Sequence, residues 1–374
     1  FDLDVSGIAG FFGGDESIAA MASVNLIRYR WLLGWYNSPG NYFVSKRYGI
    51  IAGNRVWDGL FPGKNSSPAT ILGLDGQHGP KFLGSRMGTS IEMTGHLSHL
   101  LFSHRKDYDS FDPRVIQPSV PQSSSPFPST TVSLSTVDPA EARYMYGPMR
   151  MIGFIGAFLT IGFSVGAAVV AALVWHDYFC CIAICIGILC NGIAGLVYGS
   201  ATLQLFMPFV PRNSVAGDGI FVRENDIVIV RGPESKIGTI KRGSYELVYP
   251  EKPPYHRIGF ISIALAFQTF SQIILLPEAT LKGQVIFLAT FALSWLYNAY
   301  LASVDREKLQ FRALRKVLGL SKPKTKNFLM WASAVIATTF LLNPSSPDDW
   351  IRQLIPNNVP TWIKWRECVI RAME

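Results

Sequence analysis

The stretch YFCCIAICIGILCNGIAGLVYGSATLQLF, residues 178–206, decides how the chain is read. It holds four of the five cysteines, a single asparagine and a run of glycines, with no charged residue. Such a run is either a thiol site or an apolar helix in which cysteine is a small hydrophobe. At about 100° per residue, Cys181 and Cys185 share a face, Cys180 lies a further step round and Cys190 points to the opposite side. Thiols dispersed in this way cannot converge on one zinc ion from a single helix. The helix reading prevails, with the thiols as buried small side chains. The same projection puts Cys181, Cys185, Gly192, Gly195 and Gly199 within about 80° of one another. A stripe of small residues lets two backbones approach closely in lipid. Its expected partner is the preceding apolar run, which carries Gly162 and Gly166 at four-residue spacing.

That preceding run, 151–175, is long enough to cross roughly 30 Å of hydrocarbon at about 1.5 Å per residue. A link of only three residues, HDY, joins it to the opening stretch, so the two form an antiparallel hairpin spanning 149–208. A second pair of runs, 258–276 and 284–303, is joined by PEATLKG and forms a second hairpin over 258–304. Charged residues make up 16% of the chain, against about 25% in soluble proteins. The mean hydropathy is +0.23. The fold class expected is therefore a membrane all-α protein. It has two transmembrane helical hairpins, a fifth short span at 327–343, a small cytoplasmic β-meander and an irregular N-terminal region.

The remaining segments are polar. Residues 1–115 form a mixed N-terminal region, in which 17–36 reads as an interfacial amphipathic helix interrupted by Arg28 and Arg30. No basic stretch precedes an apolar core at the N-terminus, so no signal peptide is expected. Residues 116–148 are a Pro/Ser linker of extended backbone. Alternation in GIFVRENDIVIVRGPESKIGTIKRGSYELVY predicts the β-meander within 209–257. Residues 305–326 are basic, and the tail 344–374, with Trp350, Trp362 and Trp365, suits a membrane interface.

Loop charge sets the orientation. The 208–257 loop carries eight Lys and Arg, and another basic cluster follows the second hairpin, whereas the two short links contain only Lys282. The N-terminus, the 209–257 loop and the basic segment are therefore expected on the cytoplasmic side. The net charge of +8 is distributed as orientation signals, not as a nucleic-acid-binding block.

The stretches ENDIVIVRG, LPEATLKGQVIFLA and SWLYNAYLASVDREKLQ resemble ones shared by a group of uncharacterised multi-span membrane proteins of fungi, over roughly residues 140–320. The resemblance implies a membrane protein and assigns no activity or functional residue.

Chemistry is sparse. No phosphate-cradling GxxxxGK[ST], GxSxG elbow or HExxH occurs. His96, His99 and His104 cluster in GHLSHLLFSH without an established metal spacing, so no metal or cofactor is expected. Within the apolar runs, Gln268 and Gln272 lie one turn apart, as do Ser294 and Asn298 on the next run. The two pairs form an intramembrane polar patch expected to hydrogen-bond across the second hairpin. The function expected is a non-enzymatic structural or scaffolding role in a membrane assembly. Its partners are the bilayer, anionic lipid at Arg306–Lys326 and further copies or subunits. The alternatives are a channel or carrier for a small neutral solute or ion, through the polar patch, and a lipid-acting enzyme centred on the histidines.

Overall fold

The computed structural model describes residues 14–63, 66–104, 127–133, 147, 149–211, 213–224, 226–320 and 324–374. In chain order the elements are α1 (Asp15–Ala22), α2 (Asn41–Gly49), α3 (Arg55–Leu60), β1 (Lys81–Gly84), β2 (Ser90–Ile91), α4 (His96–His104) and β3 (Phe127–Ser133). Then come α5 (Met151–Leu173), α6 (Tyr178–Tyr198), β4 (Thr202–Phe206), β5 (Gly219–Arg223), β6 (Asp226–Arg231), α7 (Glu234–Arg242) and β7 (Ser244–Val248). The chain ends with α8 (His256–Leu275), α9 (Leu281–Ala302), α10 (Arg306–Leu318), β8 (Lys324–Phe328), α11 (Trp331–Leu342), α12 (Pro347–Leu354) and α13 (Pro360–Arg371). Two compact units emerge, and each is assembled from three separate stretches of chain.

The first unit is helical. Helices α5, α6, α8 and α9 are each long and apolar enough to cross a membrane. The expected two pairs of long apolar helices are therefore present. Ala167, Ala168 and Ala171 of α5 pack with Cys180, Ala183 and Ile184 of α6 and with Phe287 and Phe291 of α9. One carboxylate holds the ends together. Asp177 caps α6 by accepting the Cys180 N–H (3.0 Å), and its other oxygen accepts both the N–H and the hydroxyl of Thr280, each at 2.7 Å. Thr280 in turn caps α9 through Gly283 N–H. The two short links, remote in sequence, are thus joined by a buried Asx cap.

The segment expected as a single interfacial helix over 17–36 is neither continuous nor peripheral. Helix α1 stops at Ala22, and 3-10 turns follow at Ser23–Asn25 and Arg30–Leu32, separated by Tyr29 at φ 65°. The chain then runs without regular structure to Gly40 and returns as α2. Ala20, Leu33 and Tyr36 pack with Ala157 of α5 and with Tyr297 and Leu301 of α9. On α2, Ser45 donates to the Ser262 carbonyl of α8 (2.6 Å), and Tyr48 stacks on Tyr198 of α6 at 3.9 Å. Arg28 and Arg30 interrupt the apolar helix, but the residues flanking them, Val24, Leu26, Ile27, Leu33 and Tyr36, are still buried.

The second unit corrects the all-α expectation. A six-stranded mixed sheet runs in the order β2-β1-β5-β6-β3-β8. The β5–β6 hairpin is antiparallel with Phe221 opposite Val228, and β3 joins β6 in parallel with Thr130 opposite Val228. Ile227, Val228, Ile229 and Val230 are all buried, as a central strand covered on both faces requires. The expected β-meander is therefore only a hairpin. It continues into α7, while β7 pairs with β4 in a separate two-stranded sheet. Most of the 116–148 linker lies outside the described residues, but its Phe127–Ser133 portion is a sheet strand.

The segment expected as a fifth span is a shorter apolar helix. Helix α11 has 12 residues, about 18 Å of rise against roughly 30 Å of hydrocarbon. Its Ala334, Val335 and Leu342 instead pack on Leu83, Ile220, Ile227 and Ile229 of the sheet. The tail expected at an interface covers the same sheet face, with Trp350 and Ile351 buried and Trp362 and Trp365 packed against them. On the basic segment, α10 buries Phe311, Leu314, Val317 and Leu318, so it is amphipathic rather than a solvated charge run.

Replacing Asp177 with Ala removes a helix cap and two bonds to a charged acceptor. This should destabilise the helical unit by about 2–4 kcal/mol, read as a lower unfolding midpoint in detergent.

Candidate functional site

The segment RWLLGWYNSPGN, residues 30–41, supplies the most unusual chemistry in the helical unit. Pro39 and Gly40 (φ 75°) end the irregular run and open α2, and the backbone over residues 34–39 makes no helical hydrogen bonds of its own. Buried among apolar helices, its polar groups need partners from elsewhere. Asn37 receives most of them. Its N–H donates to Ser164 Oγ of α5 (3.3 Å), and its Nδ2 donates to Thr290 Oγ1 of α9 (3.0 Å). Gln272 Nε2 of α8 donates to Asn37 Oδ1 (2.9 Å), and Ser294 Oγ of α9 donates to the Asn37 carbonyl (2.6 Å). Asn191 of α6 completes the set by donating from Nδ2 to the carbonyls of Gly34 (2.6 Å) and Tyr36 (3.3 Å). Each of the four long helices thus contributes a side chain to this one loop.

All four residues of the expected polar patch are recruited, but not across the second hairpin. Gln268 accepts from Asn41 Nδ2 (2.7 Å) and donates to Gln272 (3.3 Å). Gln272 reaches Asn37 and also the Ala183 carbonyl (3.0 Å). Ser294 holds Asn37, and Asn298 donates to Ser38 Oγ (3.1 Å) while accepting from Tyr36 OH (2.8 Å). The inserted loop intercepts bonds that the two helices would otherwise make with each other.

Below the loop lies a buried cation. Arg30 is 3% exposed, its Nη2 donates to Tyr36 OH at 2.9 Å, and its guanidinium lies 5.8 and 5.4 Å from the ring centroids of Tyr36 and Tyr297. No carboxylate pairs with it among the described residues. Two aromatic faces stabilise the charge through cation–π attraction, worth ~2 kcal/mol when desolvated.

The small-residue stripe divides between two neighbours. A Cβ on Gly192 would strike the Trp35 ring, and one on Gly199 would strike Trp31 and Val24. A Cβ on Gly195 would stand 3.2 Å from the Trp31 carbonyl oxygen. These glycines admit residues 24–35, not α5. Cys181 and Cys185 do face α5, lining an apolar groove of about 510 Å³ with Ala168, Ala172 and their neighbours. Gly162 and Gly166, expected to receive the stripe, have open space where a Cβ would stand. The α5–α6 contact instead runs through Ala167, Ala168 and Ala171. Gly187 was not singled out from the sequence, yet a Cβ there would collide with the Asn37 amide. Asn37, Asn41, Arg30 and Ser164 were likewise missed. The available signal was the polar turn WYNSPGN directly after an apolar stretch, matched by the lone Asn191.

The histidines make no metal set. His96 stacks with His99 at 6.2 Å and meets Tyr245 edge-on at 5.9 Å, and His104 stacks with Phe311. Burial pushes the nearby Asp75 carboxyl above the ordinary carboxylate range, opposed in part by His96. Among the described residues no group of three or more His, Cys, Asp or Glu is placed to hold a metal ion.

Comparison with known protein families, with curated proteins and with solved structures finds no match to this chain. The site therefore has to be read from its own geometry.

Two outcomes separate the glycines. Gly192→Leu or Gly199→Leu should abolish folding or lower the unfolding midpoint steeply, whereas Gly162→Leu and Gly166→Leu should leave it within the ±0.5 kcal/mol typical of unencumbered surface sites. Asn37→Ala should cost about 2 kcal/mol in the same measurement, since it strips partners from Gln272 and Thr290.

Proposed function

We propose that the chain is a multi-pass integral membrane protein with a structural, non-enzymatic role in a membrane assembly. The observation that carries this reading is the outer surface of the four long helices. Ile152, Phe158, Leu159 and Leu173 of α5, Ile182 and Leu189 of α6, Phe267 and Ile274 of α8, and Val285 and Leu296 of α9 all point outward. An apolar surface of that extent is unfavourable in water and costs nothing in hydrocarbon. The polar side chains of the same helices point inward, as intramembrane polar groups do.

Orientation follows from the basic residues. The three stretches forming the sheet unit precede α5, separate α6 from α8 and follow α9, so in a two-hairpin topology all three emerge on one side. The Lys and Arg they contain assign that side to the cytoplasm or its equivalent. Helix α10, with Arg306, Arg315 and Lys316, is placed there to meet anionic headgroups at ~1 kcal/mol per basic residue.

A structural role is favoured over conduction because Gln268, Gln272, Ser294 and Asn298 are all engaged in holding residues 36–41. The competing reading, a channel or carrier for a small neutral solute or ion, draws on the same loop. Irregular backbone deep among spanning helices is the architecture in which transporters build their sites.

The protein should stay in the membrane pellet after alkaline carbonate extraction; release into the supernatant would overturn the membrane reading. Purified in mild detergent, it should form a defined assembly larger than a monomer and, in liposomes, should pass no small neutral solute or monovalent ion. A monomer with flux that disappears in Gln272→Leu would establish the conduction reading instead.

A further inference from the structure

The second unit contains a polar cavity that the membrane reading does not use. Its volume is about 500 Å³, within the range of small-molecule sites. One wall is the connection between β1 and β2, residues 84–89, and the other is the turn leading from α11 into α12. The walls are pinned to each other. Ser345 N–H donates to the Ser85 carbonyl (2.9 Å), and Ser345 Oγ donates to the Arg86 carbonyl (3.1 Å). Ser85 is held from behind, donating through both N–H and Oγ to the Asp218 carbonyl at 2.9 Å. The cavity is therefore preformed rather than a gap between loose loops.

Its chemistry favours an anion. Arg86 and Arg352 both line it. Arg86 has only a distant carboxylate, Asp218 at 3.9 Å, and Arg352 has Asp348 at 2.8 Å, so most of the five N–H donors on each guanidinium remain for a ligand. Helix α12 begins at the cavity, and its N-cap, Ser346, makes no side-chain capping bond; Pro347 brings no N–H, so the first-turn donors are those of Asp348 and Asp349, whose carboxylates share the positive end of the dipole. Trp350 is a lining residue only 4% exposed, and its indole Nε1 has no acceptor among the described residues. That nitrogen is closed off from the space, so the indole supplies an aromatic wall and not a donor. Asp349 also lines the space. Its carboxylate disfavours a bare polyanion but accepts hydrogen bonds from hydroxyls.

We propose that this cavity binds a phosphate monoester carried on a hydroxylated scaffold. The phosphate sits between Arg86, Arg352 and the start of α12, and the hydroxyls reach Asp349. Planar guanidinium groups recognise phosphate oxygens two at a time, and a single lining carboxylate distinguishes such an ester from inorganic phosphate. A free sugar phosphate or mononucleotide satisfies this chemistry, and so does the headgroup of a phosphorylated inositol lipid.

Isothermal titration of the purified full chain with adenosine monophosphate, glucose 6-phosphate and inorganic phosphate tests the soluble source. Titration with vesicles containing phosphatidylinositol 4-phosphate tests the lipid source. At least one ester, free or in vesicles, should bind saturably, and its affinity should fall tenfold or more in Arg86→Ala/Arg352→Ala. Asp349→Asn should lower the preference for the ester over inorganic phosphate several-fold, inorganic phosphate itself binding more tightly. Adenosine and glucose should bind at least tenfold more weakly than their phosphates. Both arginines are more than half exposed, so the double variant should melt with the parent. Arg86→Gln alone gives the same comparison if it does not. No saturable binding from either source, binding unaffected by loss of the arginines, or equal binding of the unphosphorylated compounds would overturn the proposal.

Discussion

A carbonyl or amide buried among apolar helices must find a partner, and most of the helical unit is arranged around that requirement at one loop. Residues 34–39 leave helical geometry where water cannot reach them, and six polar side chains on four helices converge on them. Asn37 is at the centre because an amide side chain offers donors and an acceptor beyond its own backbone groups. Its neighbours follow from this: glycine at 187 gives the amide room, and glycines at 192 and 199 let the Trp31–Trp35 backbone lie against α6. The same arrangement explains why α8 and α9 carry polar residues that do not meet each other. The loop lies between them.

The sheet unit obeys a different constraint. Its central strand β6 is apolar on both faces and has to be covered on both. On one face stand three C-terminal helices, which explains why the apolar run near residue 335 is short: it needs to span a sheet, not a bilayer. On the other, Phe82 and Phe221 pack at 5.0 Å beneath the stem of Lys241, whose ammonium lies 4.7 Å from the Phe82 ring and pairs with Glu234 at 2.7 Å. A buried ammonium so enclosed contributes packing through its stem as well as charge.

The parts legible in the sequence were those set by local periodicity and length. The four long apolar helices and their pairing through short links follow from runs of like residues. Long-range partnership was not legible. Nothing in the stretch around Phe127 marks it as a strand, because its apolar content is low and its partners Ile227–Arg231 and Lys324–Phe328 lie far along the chain. The glycine stripe of α6 was visible, but a helical projection gives a direction, not an occupant, and residues 24–35 occupy the direction assigned to α5. The polar patch was found residue by residue for a similar reason: amides in an apolar helix stand out, while the loop that uses them looks like an ordinary Pro-Gly turn.

Strand order has a consequence for how the molecule is made. Strand β1 pairs with β5, and β3 lies between β6 and β8, so each early strand borders strands translated only after one or both helix pairs. A chain emerging from the ribosome must carry one edge of β1 and both edges of β3 unpaired while α5 and α6 are laid down, and it cannot finish the sheet until β8 has followed α9. The helical unit also waits, because residues 30–41 are synthesised first and their hydrogen-bond partners last. Both units are therefore completed late and nearly together, which makes the nascent chain dependent on whatever shields its early segments during synthesis.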